Sequence, residues 1–388
     1  MTAPQDDSQT PAGVRRLTLA DFRSYAALDL DGLGRMVALS GDNGAGKTNV
    51  LEALSLLTPG RGLRRAELHD FARRGGAGGF AVSVEVAARG GALQLGAGVE
   101  PGGPAARKFR IDREPAPSIR AFSGHLRVVW LTPAQDGLFI GPPAERRRFL
   151  DRLALSLDVD HGARVSALER ALRSRNRLLE ERSDRAWLDA VEREAAELAV
   201  AVAAARAEAT ARLNALLEQT PQAGFPTPGL RLEGELDRLI EGRPAIAAED
   251  DYRRLLRDNR ARDAAAGRTL ASPQSSDLLV AYVERGVEAA HCSTGEQKGL
   301  LVSLILAQAR LVRAVSGLAP LLLLDEIAAH FDPSRRAALY DLLARLDAQV
   351  WLTGADPAAF AALEGRAQAF KVTPGRIEPL ATPAHAPI

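Results

Sequence analysis

An apolar run, Val37-Ala38-Leu39-Ser40, leads directly into Gly41-Asp42-Asn43-Gly44-Ala45-Gly46-Lys47-Thr48-Asn49, the spacing G-x-x-x-x-G-K-T of a phosphate-binding loop. Gly41, Gly44 and Gly46 let the backbone turn inward, so that successive N–H groups converge on phosphate oxygens at a helix N-terminus, where the dipole favours negative charge. Lys47 is placed to reach the β and γ phosphates of ATP. Thr48 offers a hydroxyl to Mg²⁺, and Asn49–Leu57 reads as the helix that must follow. A Gly-rich turn that merely fits the pattern is the bland alternative, and the partner motifs count against it.

Far along the chain, Leu321-Leu322-Leu323-Leu324-Asp325-Glu326 reads as a fully buried parallel strand with two acids at its carboxyl end. In a phosphate-loop fold this strand is expected beside the strand that feeds the loop. Asp325 then holds Mg²⁺ opposite Thr48, and Glu326, pointing elsewhere, polarises the attacking water as the catalytic base. Apolar strands ending in acids are common, so the phosphate loop gives this one its meaning.

Ser293-Thr294-Gly295-Glu296 opens another apolar helix and forms a second N–H-lined anion site. One chain needs only one phosphate loop. A second γ-phosphate site therefore implies two chains sandwiching two ATP molecules, with Ser293, Gly295 and Glu296 of each facing the other's loop. An ordinary capped helix, with Ser293 and Glu296 as a capping box, is physically compatible with the same residues. The sandwich arrangement resembles the ABC ATPases. That resemblance assigns Asp332 as a dimer-facing acid at the nucleotide, with Gln135 as a third candidate ligand for the metal beside Thr48 and Asp325.

The rest of the chain reads as a head with an insertion. Val14–Leu19, Leu28–Leu30 and Met36–Leu39 alternate or run apolar like strands. Phe80–Val86 and Leu93–Val99, joined by Arg89-Gly90-Gly91, form a hairpin signal, and Lys108–Asp112 adds a strand. Leu126–Leu131 is a buried strand stopped by Pro133. From Ala144 to about Gln219 the composition turns to Ala, Leu, Arg and Glu with helical apolar spacing, and Arg182-Ser183-Asp184 turns one helix back on the other. A further helix is expected over Glu249–Asp263, an apolar one over Leu300–Val312, and a buried strand over Gln349–Thr353. The fold class is α/β, an ATPase head of mixed sheet plus antiparallel β layer with an inserted helical arm. Residues 1–143 and 277–388 form the head, and 144–276 the arm.

Composition limits the partners. The 388 residues carry 50 basic and 49 acidic side chains, a net charge of +1, so any nucleic-acid surface is local. The single Cys292 forms no internal disulfide and fits a reducing compartment. Residues 1–12 lack the basic start and apolar stretch of a secretory signal, no run of about eighteen apolar residues occurs, and the expected location is the cytoplasm, with frayed residues from Ala381.

Within the ABC class, long helices between loop and signature favour the SMC-like DNA-repair branch over transporter subunits. Leu19-Ala20-Asp21-Phe22-Arg23-Ser24-Tyr25, Gly41 to Glu52, Val128 to Pro133, Arg146-Arg147-Arg148-Phe149-Leu150-Asp151 and Ser293 to Leu301 together resemble the RecF family of bacterial recombination mediators, in order along nearly the whole chain. The resemblance implies a weak, DNA-stimulated ATPase that dimerises on ATP, closes on double-stranded DNA near single-strand gaps, and helps load RecA with RecR and RecO. Arg146, Arg147 and Arg148 are the first DNA candidates, with Arg170, Arg173, Arg175 and Arg177 along the arm; all of these have acids nearby to pair with instead. Two departures stand out. Ala45 replaces a frequent polar residue in the loop, where the backbone does the binding. Ser272-Pro273-Gln274-Ser275-Ser276-Asp277-Leu278 lacks the histidine and arginine of the family's Gly-Pro-His-Arg-x-Asp-Leu. An SMC-like structural clamp, which should have a far longer coiled coil, and a transporter motor are the alternatives.

Overall fold

The computed structural model describes residues 13–88, 91–104, 106–222, 224–328 and 331–380; the expected N-terminal tail, the Arg89-Gly90 part of the hairpin turn and the frayed end lie outside the described residues. The chain opens with β1 (Val14–Phe22), β2 (Tyr25–Leu30), β3 (Met36–Ser40) and α1 (Lys47–Ser55). Five strands follow: β4 (Phe80–Ala88), β5 (Gly91–Val99), β6 (Lys108–Ile111), β7 (Glu114–Ala116) and β8 (Val128–Leu131). Then come α2 (Pro143–Leu157), α3 (His161–Glu180), α4 (Arg185–Gln219), β9 (Pro228–Glu233), α5 (Glu235–Ile240), α6 (Ala245–Asp258), α7 (Arg260–Ala266), β10 (Asp277–Tyr282) and β11 (Val287–Glu288). The chain finishes with α8 (Thr294–Ser316), β12 (Leu321–Leu324), α9 (Pro333–Arg345), β13 (Gln349–Gly354), β14 (Gln368–Thr373) and β15 (Arg376–Pro379).

These elements fall into two compact units. The first takes the described residues up to Gln135, the short piece at Gln222 and Gly224, and everything from Leu304 onward; the second takes Asp136–Pro221 and Phe225–Ser303. The expected return to the head at residue 277 is therefore displaced. β10 pairs antiparallel with β9 over Asp277–Tyr282, and β11 pairs with β10, so the stretch up to Ser303 stays with the helical unit. Those strands are short, two to six residues each, and were not read from sequence.

In the first unit, a six-stranded antiparallel sheet runs β2-β1-β4-β5-β6-β7. Its strands alternate as the period-2 pattern demands: Leu17 and Leu19, Val82, Val84 and Val86, Leu95 and Ala97 are buried on one face. The second sheet runs β15-β14-β3-β13-β12-β8, parallel throughout except for the β14–β15 pair. Its central strands are buried along their whole length, as unbroken apolar runs require. One expectation fails here. β12 is not the neighbour of β3; β13 lies between them, pairing with β3 on one side and β12 on the other. Gln349, the first residue of β13, fastens the start of the chain: its Oε1 accepts from Val14 N–H at 2.9 Å, and its Nε2 donates to Val14 O at 2.8 Å and Gly34 O at 2.7 Å.

The second unit is built on α4, whose 35 residues span about 50 Å at 1.5 Å each. Ala195, Ala196, Ala199, Val202 and Ala203 give it a smooth face, against which α3 and α6 pack through Leu168, Leu172, Tyr252 and Leu256. The expected turn is present. Arg182 adopts a left-handed φ of 52° and Asp184 caps α4 by accepting from Ala186 N–H. The single helix expected over Glu249–Asp263 is two, α6 and α7, meeting at Asn259. α8 is long and apolar enough to cross a membrane by composition, yet Leu300, Leu301, Leu304, Ile305 and Leu306 are buried inside the protein, as in a core helix.

Replacing Gln349 by leucine, which keeps its bulk, should destabilise the protein by more than about 2 kcal/mol, since each orphaned buried polar group costs roughly 1–3 kcal/mol. Hydrogen exchange is the local check: protection at the amide of Val14 should fall further than protection in the middle of β4.

Candidate nucleotide site

β3 delivers the chain to Gly41, where a Cβ would lie 2.2 Å from the carbonyl oxygen of Val372, so no other residue fits. Asp42, Asn43 and Gly44 form the exposed crest, Ala45 is buried, and Gly46, at φ 117°, is the residue from which α1 starts. A Cβ on Gly46 would meet Tyr25 Oη at 2.8 Å and Ser24 Oγ at 2.9 Å. Those two side chains come from the β1–β2 turn and the first residue of β2. Tyr25 Oη donates to Gly46 O at 3.1 Å, and Ser24 Oγ accepts from Asn49 Nδ2 at 3.0 Å. Arg23, at φ 52°, grips the fully buried Glu52 of α1 through two bonds of 2.7 Å. The Asp-Phe-Arg-Ser-Tyr segment is thus a brace for the start of the phosphate-loop helix. Its motif was visible in the sequence, but its role was not. Arg64 completes the brace, donating to Asn49 Oδ1 at 2.8 Å and lying 3.2 Å from Glu52.

Lys47 is buried at the loop's centre. Its Nζ donates to the carbonyls of Gly41 at 2.6 Å and Asp42 at 3.1 Å, and stands 3.4 Å from Glu326 Oε1. Thr48 Oγ1 lies 2.9 and 3.2 Å from the two oxygens of Asp325. Those expected partners meet although their strands are not adjacent. Thr353, at the carboxyl end of the intervening β13, bridges the gap: its hydroxyl donates to Asp325 Oδ1 at 2.7 Å and accepts from Glu326 N–H at 3.0 Å. Glu326 itself has a left-handed φ of 51°. No sequence signal marked Thr353, because strand order is not written in the chain.

The oxygens of Thr48 and Asp325 suit a small hard cation, which prefers hydroxyl and carboxylate ligands. Gln135 does not present an oxygen in this arrangement: its Oε1 accepts from Thr132 N–H at 3.2 Å, while the amide nitrogen is buried without a partner. The expectation that it ligates metal requires that amide to turn.

The signature segment belongs to the second unit. Glu296 Oε2 accepts from Ser293 N–H at 2.9 Å and Ser293 Oγ at 2.8 Å, while Glu296 N–H approaches Ser293 Oγ at 3.4 Å. The capping box is real, with Arg285 paired to the other Glu296 oxygen. These hydrogen bonds, from the Ser293 hydroxyl first and then its backbone, hold the Glu296 carboxyl below its usual range. Ser293 and Thr294 remain exposed, Gly295 less so. Asp332 caps α9, accepting from Arg335 N–H at 3.0 Å, and that backbone contact lowers its pKa. The Cys292 thiol is pushed up by burial and by Glu296, which makes it a poor nucleophile.

The candidate DNA arginines divide. Arg146 is held within the fold: it forms a bidentate pair with Asp277 at 2.8 and 2.7 Å and donates to the carbonyls of Phe139 and Gly141. Arg147 donates to Ser276 O at 3.1 Å. Arg148 is exposed and pairs with Glu145 in its own helix. Arg175, expected on a DNA-facing stripe, is wholly buried between Glu192, Asp263 and Thr269. Arg173 and Arg177 sit in exposed pairs with Glu169 and Glu181. The turn that lacks the family's histidine and arginine closes on itself. Ser275 Oγ donates to Ser272 O at 2.7 Å, and Arg206, held by Asp151, donates to Pro273 O at 2.5 Å.

Strand order, phosphate loop and acids define a P-loop nucleotide-binding head. The chain matches the RecF/RecN/SMC N terminal domain family over residues 13–377. It is 52% identical over 365 residues to "DNA replication and repair protein RecF" of Rhizobium leguminosarum bv. trifolii (strain WSM2304), covering 93% of this chain and 97% of that one. It is 53% identical over 367 residues to the RecF protein of Rhizobium rhizogenes (strain K84), covering 94% and 98%. Among solved structures, the recombination mediator protein RecF-ATPrS in the RecFOR pathway superposes with a TM-score of 0.85 at 20% identity, over 96% of this chain and all of that one. The Smc head domain with an extended coiled coil from Pyrococcus furiosus gives 0.53 at 15% identity, over 95% of this chain and 96% of that one. The chain belongs to the RecF family of DNA replication and repair proteins.

Arginines 146 and 148 give a direct check on the assignment of roles. Arg146→Ala should cost about 1.5–3 kcal/mol, the scale for hydrogen bonds to a charged partner in a half-buried pair. Arg148→Ala should stay within about 0.5 kcal/mol, as exposed substitutions do. Denaturant unfolding of the two variants reads both values.

Proposed function

We propose that this protein is an Mg²⁺-dependent ATPase that dimerises on ATP, closes on double-stranded DNA at single-strand gaps, and serves RecA loading with RecR and RecO. The observation that carries the reading is the convergence of Lys47, Thr48, Asp325 and Glu326 at the carboxyl ends of β3, β12 and β13. The loop N–H groups and Lys47 receive the β and γ phosphates; Lys47 then exchanges its carbonyl partners for anionic oxygens, a stronger charge-assisted bond. Thr48 and Asp325 would hold the cation, which when bound would neutralise charge developing on the phosphates. Glu326 orients the attacking water and accepts its proton.

Dimerisation rests on the signature. Ser293, Gly295, Glu296 and Asp332 are read as contacts to the partner's nucleotide, with Ser293 and Thr294 exposed at the start of α8. The relatives' shared name, "DNA replication and repair protein RecF", supports the DNA role. Phosphate contacts then fall to exposed residues such as Arg148 and Arg170. The α3–α4 hairpin turns back after 20 residues of α3, which disfavours the clamp with a long coiled coil.

Glu326→Gln should retain ATP affinity and slow turnover by about a hundredfold or more, the upper scale of a lost general base, thereby trapping the ATP dimer. Steady-state hydrolysis at the parental rate would remove Glu326 from that role. Ser293→Arg separates cap from phosphate contact. A lost cap alone costs about 1 kcal/mol of stability, whereas a blocked sandwich abolishes ATP-induced dimerisation in light scattering while each monomer still binds ATP. The expected result is the second.

A further inference from the structure

We propose that Thr353 is a positioning residue of the nucleotide site: its hydroxyl fixes Asp325 and Glu326 relative to each other and so couples metal binding to water activation. The inference rests on the ATPase reading above and deepens it.

Topology creates the need. With β13 inserted between β3 and β12, Asp325 and Glu326 stand one strand away from the strand that feeds the loop. Register places Leu352 of β13 opposite Leu324 of β12, and Thr353 opposite Leu39 of β3. The end of β13 therefore lies level with both the loop and the acids. Thr353 is buried, with 1% of its surface exposed, and both faces of its hydroxyl are used. The proton goes to Asp325 Oδ1 at 2.7 Å; a lone pair takes Glu326 N–H at 3.0 Å.

Each bond does something distinct. The bond to Asp325 orients a candidate metal-binding carboxylate, the job that outer partners of ligands commonly perform. It occupies Oδ1 and leaves Oδ2, 3.2 Å from Thr48 Oγ1, as the oxygen less committed within the protein. The bond from Glu326 N–H holds a backbone with φ 51°, a left-handed conformation that a glutamate adopts only under constraint. That conformation lets consecutive acids diverge, so that the Glu326 carboxylate comes within 3.4 Å of Lys47 Nζ while Asp325 faces Thr48. Released from Thr353, Glu326 loses an anchor for this conformation at the same moment that Asp325 loses its orienting donor.

The test uses the full chain with Thr353→Val, which keeps the shape and removes the hydroxyl, and Thr353→Ser, which restores it. Three quantities are read on each: ATP affinity without metal, the Mg²⁺ concentration for half-maximal ATPase activity, and kcat, with thermal unfolding alongside. Thr353→Val is expected to bind metal-free ATP like the parent, to need roughly tenfold to a hundredfold more Mg²⁺, and to lose kcat by a similar factor, the range seen when an orienting partner is removed. Thr353→Ser should recover most of both. A folded Thr353→Val with parental kcat and Mg²⁺ dependence would overturn the proposal, as would a serine variant no better than valine. If valine prevents folding, serine and alanine variants are compared instead, and equal Mg²⁺ dependence in these two overturns it. Lys47→Ala distinguishes the underlying reading: unchanged ATP affinity there removes the nucleotide site itself, whereas loss of affinity there with a parental Thr353→Val removes only the role of Thr353.

Discussion

The carboxylate of Asp325 receives two hydroxyls, from Thr48 at the start of α1 and from Thr353 at the end of β13, and the rest of the site depends on that junction. It joins groups carried by strands that the chain places hundreds of residues apart. Parallel strands make such a junction possible, since all of β3, β12 and β13 end on the same side of the sheet. Their full burial supplies the apolar surroundings in which short polar contacts hold their geometry. The brace of Arg23, Ser24 and Tyr25 works from the other side, fixing where α1 begins and hence where Thr48 stands.

Much of this was legible in the chain. The glycine spacing before Lys47 and Thr48 prescribes a local backbone shape, so it survives translation into structure unchanged. The β4–β5 hairpin and the α3–α4 turn were legible for the same reason: period-2 alternation and a polar break at Arg182-Ser183-Asp184 are local signals. What the sequence did not disclose is non-local. The insertion of β13 between β3 and β12 leaves no trace in any one segment, since each strand is simply apolar throughout. β9, β10 and β11 are short and went unseen, and the unit boundary moved with them.

Arginine was the least legible residue. Arg146 and Arg175 sit in stretches read as candidate DNA surfaces, yet they are largely or wholly buried and matched to Asp277 and to Glu192 and Asp263; Arg206 is likewise buried, against Asp151. Helical periodicity places Arg175 close to the apolar face of α3, next to Leu172 and Leu179, and that position was the available clue. A planar guanidinium with several donors can satisfy carboxylates and carbonyls together, as Arg175 and Arg206 do here. Such pairs contribute little net stability over an apolar alternative, but each is costly to break. They therefore fix the arrangement of the helical unit more than they add to its free energy.

The same economy governs the signature. A capping box and a phosphate site ask for the same groups, N–H donors and a hydroxyl at the start of a helix, and differ only in which acceptor they serve. In the isolated chain Glu296 serves them, with its charge also met by Arg285. A γ-phosphate from a second chain brings more charge to those donors than one carboxylate does, and Glu296 has a cation ready on its other oxygen if it yields. In the proposed dimer, cap and phosphate contact would be successive occupants of one site. The intramolecular cap keeps the helix end satisfied while the protein is alone, and the proposed dimer forms by exchanging one anion for another.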